Sequence, residues 1–228
     1  MKGKIYAVGL GPGDPELITV KALNIMKKAD IIICPTSDAK NKGIAYKIVS
    51  NYFSDNKICE LLFPMHHNVD DLKNHWEENA LFLVEKLNKG FNIAFGVLGD
   101  VMLYSSYSYL DKYLLEYGYE TEFVSGIHSY SALASAHKIP LSQWDKTLCI
   151  VPIKRDESRL EEIVKVCDNV VIMKASHNHK EIKKIVDKQK NLKIYGASYV
   201  SQNKEALFTE IDKDKLPYMT TILLKKEN

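Results

Sequence analysis

Hydrophobic and polar positions fall in two textures along this chain. Through the first half, short apolar runs alternate with stretches whose apolar residues recur at helical spacing. KIYAVG (4–9) reads as a buried strand. Ile18, Ala22, Ile25 and Met26 then recur at i, i+4, i+7 and i+8, which predicts a helix from 15 to about 28. DIIIC (30–34) is a second buried strand, stopped by Pro35. A helix over 42–51 and a strand at KICELLF (57–63) follow. Leu72, Trp76, Ala80, Leu83 and Leu87 mark a helix over 71–88, FNIAF (91–95) a strand, and a helix runs through about Glu116.

Short apolar strands separated by amphipathic helices indicate parallel strands joined by crossovers, the α/β pattern. The second half is richer in strands. ETEFV (120–124), TLCIV (147–151), NVVIM (169–173), LKIYGAS (192–198), ALFTEI (206–211) and MTTILL (219–224) all qualify, with helices over 129–137, 157–167 and 178–189. Only DKDKLPY separates the last two strands, a hairpin-length link, so this sheet is expected to be mixed. The change near Gly118 predicts two α/β domains, 1–117 with a mainly parallel sheet and 118–228 with a mixed one. No long Gly/Ser linker separates them.

Composition narrows the function. The chain has 228 residues, 46% of them hydrophobic and 26% charged, with a net charge of +2. That balance points to no nucleic acid or membrane partner. Among 31 basic side chains only Arg155 and Arg159 are arginines, few for reading bases. Cys34, Cys59, Cys149 and Cys167 form no C-x-x-C, which fits reduced thiols in a cytoplasmic protein. Neither a signal peptide nor a spanning apolar run is expected.

Two glycine loops follow strands, where α/β sheets place their ligands. In VGLGPGDPELIT, Gly9 and Gly11 match the first two glycines of a dinucleotide fingerprint, but Asp14 stands where the third belongs. Pro12 and Pro15 offer no N–H, and Asp14 before Pro15 reads as a helix cap, which would fill the donors a phosphate needs and repel it. The loop is therefore a rigid turn or ligand wall with no aptitude for phosphate. In GVLGDVMLYSSYSYL, Gly96 and Gly99 allow unusual backbone and Asp100 precedes a helix, again as a possible cap. In VSGIHSYSALA, Gly126 permits positive φ and small residues admit a close helix.

VGLGPGDPELIT, GVLGDVMLYS, SGIHSYSA and PYMTTILL follow the order and spacing of the tetrapyrrole methylase family, which the whole chain resembles. The stretch GKIYAVGLGPGDPELITVKAL, LFPM (62–65), Trp76 and GDVMLYSSYSYL are most similar to its precorrin-2 or cobalt-factor II C20-methyltransferases. The resemblance implies a class III methyltransferase-like fold of two α/β domains with a cleft between them, S-adenosyl-L-methionine as methyl donor, S-adenosyl-L-homocysteine as product, and a homodimer. It implies that Gly11, Gly13 and Asp14 lie near the tetrapyrrole substrate. It assigns cofactor contacts to Pro12, Leu98, Gly99, Asp100, Leu103, Ser105, His128, Ser129, Met173, Ala197 and Thr220 or Thr221. His66, after LFPM, becomes a candidate substrate contact. Three positions depart from the family: Val101 and Ser125 replace prolines, and His128 stands where serine is common.

Methyl transfer from a sulfonium to carbon is an in-line displacement, requiring alignment more than activation. No protein-bound metal is expected, and the histidines at 66, 67, 75, 177 and 179 form no recognisable ligand spacing. Asp100 and Tyr104 are the candidate catalytic residues, with His128 also near the motifs. The alternatives are methylation at C11 or C17 of the corrin ring and a non-catalytic ligand-binding relative. The missing third glycine argues against a nicotinamide-linked oxidoreductase.

Overall fold

The parallel strands expected in the first half form one sheet. The structure, a computed structural model, describes residues 2–64, 68–152, 157–177, 179–189, 191–211 and 215–227. Strands β1 (Ile5–Gly9), β2 (Ile31–Thr36), β3 (Ile58–Leu62), β4 (Ile93–Val97) and β5 (Thr121–Val124) lie in the order β3-β2-β4-β1-β5, all parallel. Alternation sends successive side chains to opposite faces. Val8, Ile32, Cys34 and Ala94 pack with Ala22 and Met26 of α1 (Val20–Lys28) and Ile48 of α2 (Ile44–Val49). Ile5, Ala7, Ile33 and Phe95 pack on the other face with Leu83 and Leu87 of α3 (Val69–Asn88) and Leu110 and Leu114 of α4 (Tyr107–Glu116). Trp76 of α3 stacks on Tyr109 of α4 at 4.5 Å between ring centroids.

This order positions the site. The chain leaves β1 toward α1 on one face and leaves the adjacent β4 toward α4 on the other. Neighbouring loops that diverge this way open a crevice at the carboxyl ends of the strands.

The second sheet comprises β6 (Leu148–Pro152), β7 (Asn169–Met173), β8 (Leu192–Ser198), β9 (Ala206–Phe208) and β10 (Thr220–Lys226), ordered β6-β7-β10-β8-β9. It is mixed, as its texture predicts: β6 and β7 are parallel, whereas β10 is antiparallel to both β7 and β8. Helix α5 (Ser129–Ala136) packs against β8 and β10. Ile222 and Leu224 of β10 face the core formed with Leu160 and Val164 of α6 (Glu157–Val166) and Ile182 and Ile185 of α7 (His179–Lys188).

Three expectations need correction. The helix expected over 15–28 is two pieces, a 3-10 turn at Pro15–Leu17 and α1, because extended Ile18 and Thr19 intervene and Thr19 starts a new helix by accepting from the N–H of Ala22 at 3.2 Å. The last two strands form no hairpin, since β9 pairs with β8 and β10 fills the centre of the sheet. The boundary also shifts. The chain divides into Met1–His128 and Ser129–Asn228, because β5 pairs with β1 and belongs to the first sheet.

Candidate active site

The loops after β1, β4 and β5 are tied together by main-chain contacts. The N–H of Leu10 donates to the carbonyl of Val97 at 2.8 Å. Gly11 and Gly99 pair reciprocally, Gly11 N–H to Gly99 O at 3.2 Å and Gly99 N–H to Gly11 O at 2.7 Å. Both glycines have positive φ, 77° and 75°, which favours residues without a Cβ. Gly126 departs from expectation: its φ is not positive, and it is needed for closeness instead. A Cβ there would lie 2.2 Å from the carbonyl oxygen of Gly99 and 2.7 Å from the Cα of Gly9.

Asp100 closes this clasp. Its Oδ1 accepts from the N–H of Met102 and its Oδ2 from the N–H of Gly126, both at 2.8 Å. The side chain is buried, 8% exposed. The cap expected of Asp100 is thus a bridge between two loops, which periodicity could not reveal because Gly126 is distant in sequence. Asp14 does cap, accepting from the N–H of Glu16 at 2.9 Å with Pro15 first in the 3-10 turn. Ser105 Oγ accepts from the N–H of Tyr107 at 3.1 Å, at the entry to α4. Tyr104 stands exposed between them at φ 53°, a left-handed conformation that costs a tyrosine backbone energy. Pro12 is buried, while Gly13, Leu98, Leu103 and His128 are half-buried.

The second unit holds its own cluster. Met173, Thr221 and Ala197 are direct register partners across β7, β10 and β8, so they form a lateral row on one face. Ser129, first in α5, lies 3.1 Å from the Thr221 hydroxyl on that face. Thr220 points the other way. Its hydroxyl is 2.9 Å from Ser198 Oγ and donates to the Pro217 carbonyl at 2.6 Å, with only 1% of the residue exposed. Of the two threonines expected at one site, only Thr221 shares the row. Beyond Met173, Lys174 is exposed with φ 58°, and partial desolvation of its ammonium holds its pKa below the ordinary lysine value.

A family model described as "Tetrapyrrole (Corrin/Porphyrin) Methylases" matches residues 4–212. The chain belongs to the tetrapyrrole methylase family. It is a methyltransferase of that family and shares its two-unit α/β fold. A relative from Methanocaldococcus jannaschii, named "Probable cobalt-precorrin-2 C(20)-methyltransferase", is 42% identical over 179 residues, covering 78% of this chain and 75% of its own. The "Cobalt-precorrin-2 C(20)-methyltransferase" of Salmonella typhimurium is 29% identical over 237 residues, covering 100% and 98%. Among solved structures, a uroporphyrin-III C-methyltransferase from Thermus thermophilus, complexed with S-adenosylhomocysteine, superposes with a TM-score of 0.69 at 18% identity, over 98% of this chain and 97% of that one.

In this tetrapyrrole methylase the anticipated residues are sorted by unit. Gly11, Gly99 and Asp100 meet at the loop clasp, and Ser129, Met173, Ala197 and Thr221 meet on the second sheet. His128 and Ser129, adjacent in sequence, fall one in each unit. His66 lies outside the described residues. Sequence reasoning missed Gly9 and Gly126 as a contact pair, for which glycine spacing alone is no signal. His75 lies between Asp71 and Glu78 on the surface of α3, at 3.8 and 3.6 Å.

Proposed function

We propose that this chain is the S-adenosylmethionine-dependent methyltransferase that adds a methyl group at C20 of precorrin-2 or cobalt-factor II in cobalamin biosynthesis. The observation that carries this reading is the 42% identity to a relative named for that reaction. The site residues fit such a donor. The glycine clasp supplies close backbone approach without a phosphate cradle, Asp100 supplies a fixed negative charge, and the Met173–Thr221–Ala197 row supplies an apolar strip with one hydroxyl.

S-adenosylmethionine supplies an activated methyl on a positively charged sulfur. The electron pair of the macrocycle carbon forms the new C–C bond, the C–S pair returns to sulfur, and that carbon's proton leaves. The protein's task is alignment and proton removal. We assign Pro12, Leu98, Gly99, Asp100, Leu103, Ser105 and His128 of the first unit to cofactor recognition, with Ser129, Met173, Ala197 and Thr221 of the second. Gly11, Gly13, Asp14 and His66 are assigned to the substrate. The departing proton passes to water, and Tyr104, whose neutral phenol can hold that water by a hydrogen bond, is assigned this positioning role.

The test is incubation with methyl-labelled S-adenosylmethionine and either precorrin-2 or cobalt-factor II, followed by NMR of the product. Label at C20 is expected. Label at C11 or C17 would replace the assignment, and no transfer to either substrate would overturn it. We further propose a cytoplasmic homodimer, to be checked by light scattering coupled to gel filtration. Among the described residues no helix is long and apolar enough to cross a membrane.

A further inference from the structure

Asp100 is the one charged residue among the buried polar side chains of the described residues. The other acids whose burial is described remain at least partly exposed or meet a cation. Glu60, for example, takes the ammonium of Lys42 at 3.2 Å. Asp100 accepts two main-chain N–H groups at 2.8 Å, and no cationic side chain pairs with it among the described residues. Those donors take one lone pair on each oxygen and leave the net charge uncompensated. Burying such a charge is costly unless something of opposite sign meets it. The carboxylate also sits where the β1 and β4 loops diverge, the part of an α/β sheet that receives ligands.

Each oxygen keeps a further lone pair, so the carboxylate can meet a cation through donated hydrogen bonds or through charge alone. An ammonium or guanidinium gains much of its binding from directed N–H bonds. A sulfonium has no proton to donate and interacts through charge alone, over several ångströms in a partly desolvated site. We propose that Asp100 is the fixed counter-charge to the sulfonium, and that it makes the site distinguish the charged methyl donor from its neutral thioether product. This rests on the S-adenosylmethionine reading above. Asp100 then selects the donor before transfer and releases its hold once the positive charge has gone. That is a binding role, separate from proton removal.

Calorimetry at low salt measures the dissociation constants of S-adenosylmethionine, of sinefungin (which carries an amine in place of the sulfonium) and of S-adenosylhomocysteine. In Asp100→Asn, the two cationic ligands should weaken by at least about fivefold more than S-adenosylhomocysteine. Thermal melts establish that the variant is folded. Asp100→Ser, which keeps an acceptor without charge, should show the same selective loss. In the unmodified protein, added salt should weaken the cationic ligands more than S-adenosylhomocysteine, a comparison that needs no variant. Equal weakening of all three ligands in the folded variants would reduce Asp100 to a loop tether and overturn the proposal, as would unchanged binding or an equal salt response. Failure of all three ligands to bind the unmodified protein would overturn the donor reading itself, and would be seen before any variant was made.

Discussion

At the residue scale, the clasp at Gly9, Gly99 and Gly126 sets a strict steric condition on the loops after β1, β4 and β5. A methyl group on Gly126 would meet two main-chain atoms, the Gly99 oxygen at 2.2 Å and the Gly9 Cα at 2.7 Å. Backbone yields less readily than the end of a side chain, so Gly126→Ala should lose about 1–3 kcal/mol in urea unfolding. It should also weaken S-adenosylhomocysteine binding, measured by calorimetry, because the loops from β4 and β5 would separate. Gly118 offers a control of another kind. It has φ 76° and nothing within 4 Å of the place a Cβ would take, so Gly118→Ala carries only a conformational penalty and should leave that binding unchanged. These glycines were visible in the sequence as turn formers. Which of them touch was not, because contact depends on β5 lying beside β1.

At the scale of an element, β10 separates stability from recognition at two adjacent positions. Thr220→Val leaves Ser198 Oγ and the Pro217 carbonyl without that partner in a buried setting, at a cost of about 1–3 kcal/mol. Chemical denaturation should register that loss while the affinity for S-adenosylhomocysteine is kept. Thr221→Val, on the opposite face, should mainly reduce that affinity. The strand itself was legible, because MTTILL is a short apolar, β-branched run. Its neighbours were not, since an apolar run carries no address and its pairing is settled by the rest of the sheet. The same reasoning explains the false hairpin. DKDKLPY has hairpin length, yet β10 gains two full partners, β7 and β8, by passing over β9. In the 15–28 region the helical spacing of Ile18 and Ala22 was real, but Thr19 is the cap that divides it.

For the whole molecule, core composition sets the response to alkali. Burial raises the Cys34 thiol from 9.0 to about 12, with Glu60 and Cys59 adding to the shift, and burial also raises the Tyr107 phenol. Below the ordinary thiol value both folded and unfolded chains keep the proton, so the contribution to stability is complete. Above it the unfolded chain ionises first, and stability falls as pH rises toward the folded value. Urea melts from about pH 8 to about pH 11 should show this decline, with a shallower slope for Cys34→Ala. The expected two-unit organisation was legible from the change of texture, though the division falls after His128 because β5 joins the earlier sheet. The place of β10 also bears on how the protein is made. A ribosome translates the other four strands of the second sheet first, yet the middle position stays vacant until 220–226 emerges. Until then β7 and β8 expose unpaired backbone, an invitation to sticky self-association. A late stop codon would therefore do more harm than its small deletion suggests.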